Sequence, residues 1–283
     1  MIDNNNLIFK DSQSYDYSSV RLHIATPCYG GMVGVEYMRA VCEMINNFTS
    51  VGIDYHISTI SNDSLVTRAR NCLVASFLSD PKATHLLFID ADITFTYKSV
   101  YRLIASDYPV VGGIYPMKGM DWSNIKKAIH KNPDISENAL LSKASRFVIN
   151  LTDPSMHSQE GLGRVDNGFV NVANIGTGFM LIKREVFDVM AVELPELRIK
   201  SDIPSFNGKP EEENLWGFFD TWIHPKSKRY LSEDYAFCQR WISLGGEVYA
   251  DLMCPLHHRG SHVFVGSAYE FFKDHIKKNQ DTK

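Results

Sequence analysis

Two aspartates separated by a single residue offer the clearest chemistry in this chain. Asp90 and Asp92 follow His85–Ile89, which is apolar after its first residue and has the length of a strand. Such a run is typical of a strand buried on both faces of a parallel sheet. Open α/β sheets bind ligands beyond the carboxyl ends of their strands, and carboxylates suit Mg²⁺ or Mn²⁺. Asp90 and Asp92 are therefore candidate ligands of a divalent cation, the alternative being a solvated turn.

A second acidic pair lies far along the chain, where Glu233 and Asp234 follow Ser232. Ser232 can cap a helix that contains Phe237 and Trp241, which places both acids at the positive end of the helix. Capping and the helix dipole explain one acid. The other can take a proton from a substrate, provided that it faces a cleft.

A cluster of basic side chains follows a predicted strand at Glu247–Leu252. It consists of His257, His258, Arg259 and His262. A single histidine is more often structural, but three histidines beside a glycine favour a ligand for a cation or a diphosphate.

The segment after the first predicted strand, Arg21–Thr26, is rich in glycine. Thr26, Pro27 and Tyr29 lie at the end of that strand, where backbone amides and Tyr29 could meet a base or a ribose. A simple tight turn is the alternative. The chain contains neither a Walker P-loop nor a G-x-G-x-x-G sequence after the first strand, which weakens a dinucleotide-binding interpretation.

Two arginines and a glycine complete the candidate ligand-binding residues. Arg68 and Arg70 lie two residues apart on a predicted helix, Asp63–Phe77, and so cannot share one face. One of them could bind a diphosphate or a carboxylate while the other is a surface charge. Gly176 would let a ligand approach the backbone closely, or would mark a bulge or turn.

The elements that must position these residues alternate between strand and helix. Strands are predicted at Arg21–Thr26, Tyr55–Ile60, His85–Ile89 and Pro109–Ile114, and helices at Val35–Asn47, Asp63–Phe77 and Tyr97–Ser106. This alternation predicts right-handed parallel crossovers in a doubly wound sheet, with residues 20–115 as a nucleotide-binding half. Residues 116–170 have weak periodicity and are expected to form a mobile or substrate-covering insertion.

Composition excludes several other classes of protein. A content of 44% hydrophobic and 22% charged residues is that of a soluble globular protein, and a net charge of −4 without a basic block predicts no extended nucleic-acid surface. The five cysteines are scattered and lack C-x-x-C spacing, which favours a reducing compartment. No secretory signal and no apolar run of membrane-spanning length are visible, so the expected location is cytoplasmic.

Taken in order, these features resemble the GT-A-fold glycosyltransferases that depend on a nucleotide sugar and a metal. The resemblance rests on the turn after the first strand, the D-x-D, the glycine-rich strand, the acidic pair and the late histidine, and covers roughly residues 20–265. The size and compactness also resemble glycosyltransferases of large viruses and phages.

The resemblance implies an α/β fold, with a GT-A-like, doubly wound, mostly parallel sheet flanked by helices. Residues 20–265 would form a single catalytic domain, in which 116–265 are the acceptor-side half with insertions. Residues 1–19 would be a lead-in, and residues 266–283 a C-terminal helix or tail.

The resemblance also assigns roles to residues. Asp92 would bind Mn²⁺ or Mg²⁺, Asp90 would lie near the ribose or the same metal, and His258 would complete the metal shell, with His257 as its substitute. Asp234 would be the catalytic base, supported by Glu233. The expected donor-binding residues are Thr26, Pro27, Tyr29, Arg68, Arg70, Asp90, Ala91 and Gly176.

The expected reaction moves a sugar, of the hexosyl type, from a nucleoside-diphosphate sugar to the hydroxyl of a glycan or another acceptor. One base opposite the leaving group predicts inversion, the alternative being a retaining enzyme, which would not need Asp234 as its base. UDP is the first expectation for the nucleotide and GDP the second, on family frequency. Two alternatives stay open: a metal-dependent nucleotidyltransferase or phosphohydrolase, and a non-catalytic module that binds nucleotide sugars.

Overall fold

The computed structural model describes residues 15–147, 149–151, 165–201, 203, 206 and 208–272. Most of the predicted lead-in and the end of the predicted tail lie outside these residues. Of the predicted C-terminal helix, residues 268–272 are described and are helical.

The described residues form strands and helices that alternate only in the first part of the chain. The strands are β1 (Arg21–Cys28), β2 (Asp54–Ser61), β3 (His85–Ile89), β4 (Ile93–Thr94), β5 (Val110–Gly113), β6 (Ile149–Leu151), β7 (Val165–Asp166), β8 (Phe169–Ile175), β9 (Phe179–Lys183), β10 (Trp222–Ile223), β11 (Tyr230–Leu231), β12 (Val248–Asp251), β13 (His257–Arg259) and β14 (Val263–Phe264). The helices are α1 (Val35–Val51), α2 (Val66–Ser79), α3 (Tyr97–Ala105), α4 (Trp122–Lys131), α5 (Glu137–Ala144), α6 (Arg184–Glu193), α7 (Pro210–Glu213) and α8 (Glu233–Ser243).

One large sheet joins the two halves of the chain in the order β2-β1-β3-β9-β5-β12-β8-β6, with β7 paired to β8. The pairs β1–β2, β1–β3 and β5–β12 are parallel, whereas β9 is antiparallel to both β3 and β5, and β8 to both β12 and β6. Along this path every strand except β8 and β9 runs in the same direction. The predicted α/β class, with a mostly parallel sheet, is confirmed.

Helices cover both faces of the sheet, because each face contributes alternate apolar residues to a separate core. Leu86 and Phe88 of β3 pack with α2, α6 and α8 on one face. Leu87 and Ile89 pack with α1 and α3 on the other. All residues of β3 are buried, and its bounds coincide with the predicted strand. The carboxyl end of this central strand therefore has a fixed position, and Asp90 follows it directly.

Two helix starts differ in detail from their predictions. Helix α2 begins three residues after the predicted Asp63, because a carboxylate oxygen of Asp63 accepts a hydrogen bond from the Leu65 backbone N–H (2.9 Å) and holds a turn ahead of the helix. Ser232 is at the N-cap of α8, as predicted, but its hydroxyl donates to Asp234 instead of accepting from the helix backbone. The predicted side-chain cap is thus wrong.

The stretch 116–170 contains two helices that its weak periodicity did not indicate. Asp121 caps α4 by accepting from the Asn124 N–H (3.0 Å), and Ser136 caps α5 by accepting from the Ala139 N–H (3.4 Å). Trp122, Ile125 and Ile129 recur at helical spacing along α4, although no residue of this helix is buried. Residues 152–164 of the predicted insertion lie outside the described part of the chain.

Candidate active site

A cleft of about 560 Å³ opens beyond the carboxyl ends of β1 and β3. The sequence-predicted residues that line it are Pro27, Tyr29, Asp90, Ala91 and Asp92. The fold thus brings the turn after the first strand and the D-x-D together, as predicted from the rule that α/β sheets bind ligands at this edge. Arg259 and Gly260, from the basic cluster, line the same cleft.

A buried arginine joins the two acidic pairs. Arg70 is only 3% exposed, and its Nη2 donates to both carboxylate oxygens of Asp90 (3.0 and 3.2 Å). Its Nε donates to Oε1 of Glu233 (3.4 Å). Burial disfavours the charged guanidinium, but the two carboxylates outweigh burial and raise the pKa of Arg70. Arg70 therefore fixes the start of α8 beside the end of β3.

Asp92 has different partners from Asp90. Its Oδ1 lies 3.5 Å from Nε2 of His258, and its Oδ2 accepts from the ammonium of Lys118 (2.5 Å). Burial raises the pKa of Asp92, but the contacts with His258 and Lys118 outweigh burial and lower it to about 2. Asp92 is consequently a carboxylate at any physiological pH.

The geometry of His258 suits a metal ligand. Its Nδ1 lies 2.9 Å from the carbonyl oxygen of Pro116, which can only accept, so Nδ1 carries a proton. A cation would bind the other nitrogen, Nε2, which offers a lone pair on the side of Asp92 when it carries no proton, as in metal sites where a carbonyl fixes the histidine tautomer. The 3.5 Å between Nε2 and the Asp92 oxygen is a separation that two ligands about 2.1 Å from one cation can have.

Asp92 and His258 are two described side chains that could hold a divalent cation between them. Within the described ranges, no group of three His, Cys, Asp or Glu side chains could hold a metal ion. Asp90 directs both carboxylate oxygens to Arg70. Asp92 is therefore the carboxylate of the D-x-D that is better placed to meet a cation.

Asp234 has the surroundings of a carboxylate that can accept a proton. Its Oδ1 accepts from the hydroxyl of Ser232 and from the Tyr235 N–H (2.8 Å). Burial, together with the charge of Glu233, outweighs these hydrogen bonds and raises the pKa of Asp234. A raised pKa makes a carboxylate a stronger base than an exposed one.

Tyr115 lies beside His258 and close enough to Asp90 and Asp234 for their charges to act on it, and no sequence pattern indicates it. Its hydroxyl accepts from the Gly178 N–H (3.2 Å), and its ring centroid is 5.3 Å from that of His258. Burial and the charges of Asp90 and Asp234 raise its pKa, so Tyr115 stays a neutral phenol. It follows β5, whose carboxyl end meets the same edge of the sheet as β3. Only this topology brings it to the site.

Four of the expected donor-binding residues do not line the cleft. One is Arg70, which is buried behind Asp90 and contacts it directly. Thr26 is buried, and its hydroxyl lies 2.6 Å from that of Tyr37. Arg68 donates two hydrogen bonds to Asp63 (2.8 and 2.9 Å) and is half-exposed. Gly176 is buried in the turn between β8 and β9, where Gly178 makes the contact with the site.

The remaining histidines of the basic cluster lie apart from Asp92. His262 is exposed, and its ring centroid is 3.9 Å from that of Phe264. His257 is partly buried, and burial lowers its pKa. The structure brings His258 alone among the three to the carboxylate.

Comparisons with known proteins give distant likenesses only. No protein-family model matches the chain, and no curated protein matches it. Among solved structures, A197 from STIV is similar at 15% identity and a TM-score of 0.44, over 88% of this chain and 95% of that one. A glycosyltransferase involved in glycosylation of the major capsid of PBCV-1 is similar at 8% identity and a TM-score of 0.30, over 81% and 92%.

A third solved structure is the inositol-1-phosphate CTP transferase from T. maritima, at 8% identity and a TM-score of 0.35, over 92% of this chain and 97% of that one. At these scores the likenesses assign neither a family nor an activity to this chain. None of the described helices has the length and apolar character needed to span a membrane.

Proposed function

We propose that this protein is a metal-dependent glycosyltransferase that moves a sugar from a nucleoside-diphosphate sugar to an acceptor hydroxyl. The observation that carries the proposal is the position of Arg70, whose guanidinium contacts both Asp90 and Glu233. These contacts hold the D-x-D and the acidic pair at one edge of the sheet, where a donor and an acceptor could meet. UDP is the first nucleotide to test and GDP the second, and the acceptor is a glycan or another hydroxyl compound.

The donor would bind along the cleft. Asp92 and His258 would hold Mn²⁺ or Mg²⁺, and because Mg²⁺ takes few protein ligands, phosphate oxygens and water would complete its shell. When bound, the cation neutralises the charge that develops on the leaving diphosphate. Tyr29 is 78% exposed on the cleft wall, beside Pro27, and offers a ring on which a base can stack.

Asp234 is the proposed base. Glu233 is paired with Arg70, so it is less available to accept a proton, whereas burial raises the pKa of Asp234. Asp234 would take the proton of the acceptor hydroxyl as that oxygen attacks the anomeric carbon, and a single displacement inverts the configuration. Glu233 would hold the helix start against Arg70.

A two-metal nucleotidyltransferase or phosphohydrolase would use the same aspartates and needs further free carboxylates for a second cation. Asp90 and Glu233 are both paired with Arg70, so neither carboxylate is available for a second cation. The single-cation reaction is therefore favoured. A cytoplasmic location stays a prediction from the sequence.

Thermal unfolding with and without Mn²⁺ tests the donor site. We expect UDP or GDP to raise the melting temperature in Mn²⁺ but not in EDTA, because the cation links the diphosphate to Asp92. A nucleotide at 100 times its dissociation constant adds about 2.7 kcal/mol to the free energy of unfolding. Asp92→Ala should lose this effect. Asp188→Ala, which removes an exposed carboxylate from α6, should keep it. Equal stabilisation in EDTA, or in Asp92→Ala, would contradict the metal-linked site.

A further inference from the structure

Lys118 lies against the carboxylate that the proposed function gives to a divalent cation. It belongs to the segment between β5 and α4, and its Nζ is 2.5 Å from Oδ2 of Asp92. The other oxygen of Asp92 faces His258. One oxygen of Asp92 is thus paired with the ammonium of Lys118, and the other lies beside His258, a potential metal ligand.

The stem of Lys118 packs against Gly260, at the edge of the cleft. A Cβ atom built on Gly260 would lie 3.3 Å from Cδ and 3.4 Å from Cγ of Lys118, so the bare glycine leaves room for the stem. Gly260 lines the cleft, as do Arg259 and Asp92. The ammonium of Lys118 therefore ends where a diphosphate bound through Asp92 would lie.

The ion pair can exchange partners at low cost. The side chains of Lys118 and Asp92 are 42% and 37% exposed, and ion pairs that are this exposed contribute only about 0–1 kcal/mol. A divalent cation that approaches Asp92 repels the ammonium. A diphosphate that arrives with the cation offers the ammonium new anionic oxygens within reach of its flexible stem.

We infer that Lys118 is a donor-binding residue with two successive partners. In the free protein its ammonium neutralises Asp92, and when the divalent cation takes Asp92 it moves to the diphosphate of the donor. The inference rests on the proposed metal site at Asp92.

This exchange makes the cation and the nucleotide cooperative. Without nucleotide, the cation must displace Lys118 from Asp92, which weakens cation binding. With nucleotide, the displaced ammonium gains a partner, which strengthens nucleotide binding. Because coupling between two ligands is reciprocal, each should tighten the binding of the other by the same factor.

Lys118→Met keeps most of the stem and removes the charge. It therefore tests separately how Lys118 affects cation binding and how it affects nucleotide binding. Binding of Mn²⁺ alone, measured by electron paramagnetic resonance of the free ion, should become about fivefold tighter, as expected for losing a half-exposed competing ion pair. Binding of UDP and GDP to the Mn²⁺-saturated protein, measured by calorimetry, should become about fivefold weaker. Lys126→Met, which removes an exposed lysine of α4, should change neither affinity.

Two results would overturn the inference. One is Mn²⁺ affinity in Lys118→Met that is unchanged or weaker than in wild type, and the other is nucleotide affinity that does not fall in the Mn²⁺-saturated variant.

Asp92→Ala separates this failure from failure of the proposed function. If Asp92→Ala loses Mn²⁺ binding while Lys118→Met behaves as wild type, the inference alone fails. If Asp92→Ala binds Mn²⁺ as wild type does, the proposed metal site fails. Melting curves confirm that each variant is folded.

Discussion

Asp90 and Asp92 stand one residue apart and carry the same functional group, yet their partners differ. Asp90 accepts two hydrogen bonds from a buried guanidinium, whereas Asp92 faces an imidazole and a half-exposed ammonium. A carboxylate held by a fixed arginine supports the site, and one held by a flexible lysine can change partners. These partners therefore give the two aspartates of the D-x-D different roles.

Replacing Asp234 with Asn tests the proposed base, because it keeps the shape of the side chain and removes its basicity. We expect transfer to fall by roughly 10²–10⁴-fold, while nucleotide binding in Mn²⁺ survives. Glu233→Gln should reduce transfer less, because Glu233 acts through Arg70. Steady-state kinetics and thermal shifts measure the two effects, and near-normal turnover in Asp234→Asn would remove Asp234 from the mechanism.

The pH dependence of transfer should report the same group. Burial raises the pKa of Asp234, and the base is active only when ionised. Transfer should therefore decline as the pH falls through a value above the ordinary aspartate pKa of 3.8. A rate profile of kcat against pH in wild type checks this, and a profile with no acidic limb above pH 3.8 would contradict it.

Residue types at the site were predictable from the sequence, but most of their partners were not. Asp90, Asp92, Asp234 and His258 stand out by type and context. Arg70 and Glu233 are separated by 163 positions, and no local pattern pairs them. Tyr115 lacks any motif. Long-range contacts of this kind depend on strand order, which a single sequence does not encode in its periodicity.

At the scale of elements, strand β9 determines how the carboxyl ends of β3 and β5 are arranged at the site. It runs antiparallel between β3 and β5, and the carbonyl of Gly178, just before it, accepts from the Asp90 N–H (3.0 Å). The alternation from β1 to β5 was predictable from hydrophobic runs. The direction of β9 was not, because an apolar run shows that a strand is buried without showing which way it runs.

Gly178→Ala tests this contact between elements. The added Cβ would lie 2.8 Å from both Cζ and the hydroxyl oxygen of Tyr115, so the ring must move and its hydrogen bond with the Gly178 N–H is strained. We expect a loss of about 1–3 kcal/mol in the free energy of unfolding, as for other overpacked sites, together with reduced transfer. Chemical denaturation measures the first effect.

Gly119→Ala is the matched control, because a Cβ there meets nothing within 4 Å. It should change the free energy of unfolding by no more than about 0.5 kcal/mol. Equal stability of the two alanine variants would show that Tyr115 is not held as tightly as its contacts indicate.

At the scale of the whole molecule, the sheet separates two apolar cores, and His23 is buried against one of them. His23 of β1 is 1% exposed, its ring centroid is 5.8 Å from that of Phe77, and neither ring nitrogen has a hydrogen-bond partner among the described residues. Burial lowers the pKa of His23 from 6.5 to about 4. The folded protein therefore keeps this ring neutral over a range in which the unfolded chain protonates it.

Stability should decline with acid for this reason. Below pH 6.5 the unfolded chain binds more protons at this position than the folded protein, so the free energy of unfolding falls until the pH reaches about 4. The loss amounts to about 3 kcal/mol for a shift of this size. His23→Phe should remove much of this loss of stability and move the midpoint of acid unfolding to lower pH. His130→Phe, which replaces an exposed histidine of α4, should not, and identical midpoints for wild type and His23→Phe would contradict this account.

Turnover of a panel of nucleotide sugars in Mn²⁺, followed by ³¹P and ¹H NMR with water as the acceptor, tests the central claim most directly. We predict release of a nucleoside diphosphate, no release by Asp92→Ala, and a free sugar whose first-formed anomer is opposite to that of the donor. Release of a nucleoside monophosphate would instead show phosphohydrolase or nucleotidyl-transfer chemistry. Tight binding of a nucleotide sugar without turnover would show a binding module. Either result would contradict the proposed glycosyltransferase.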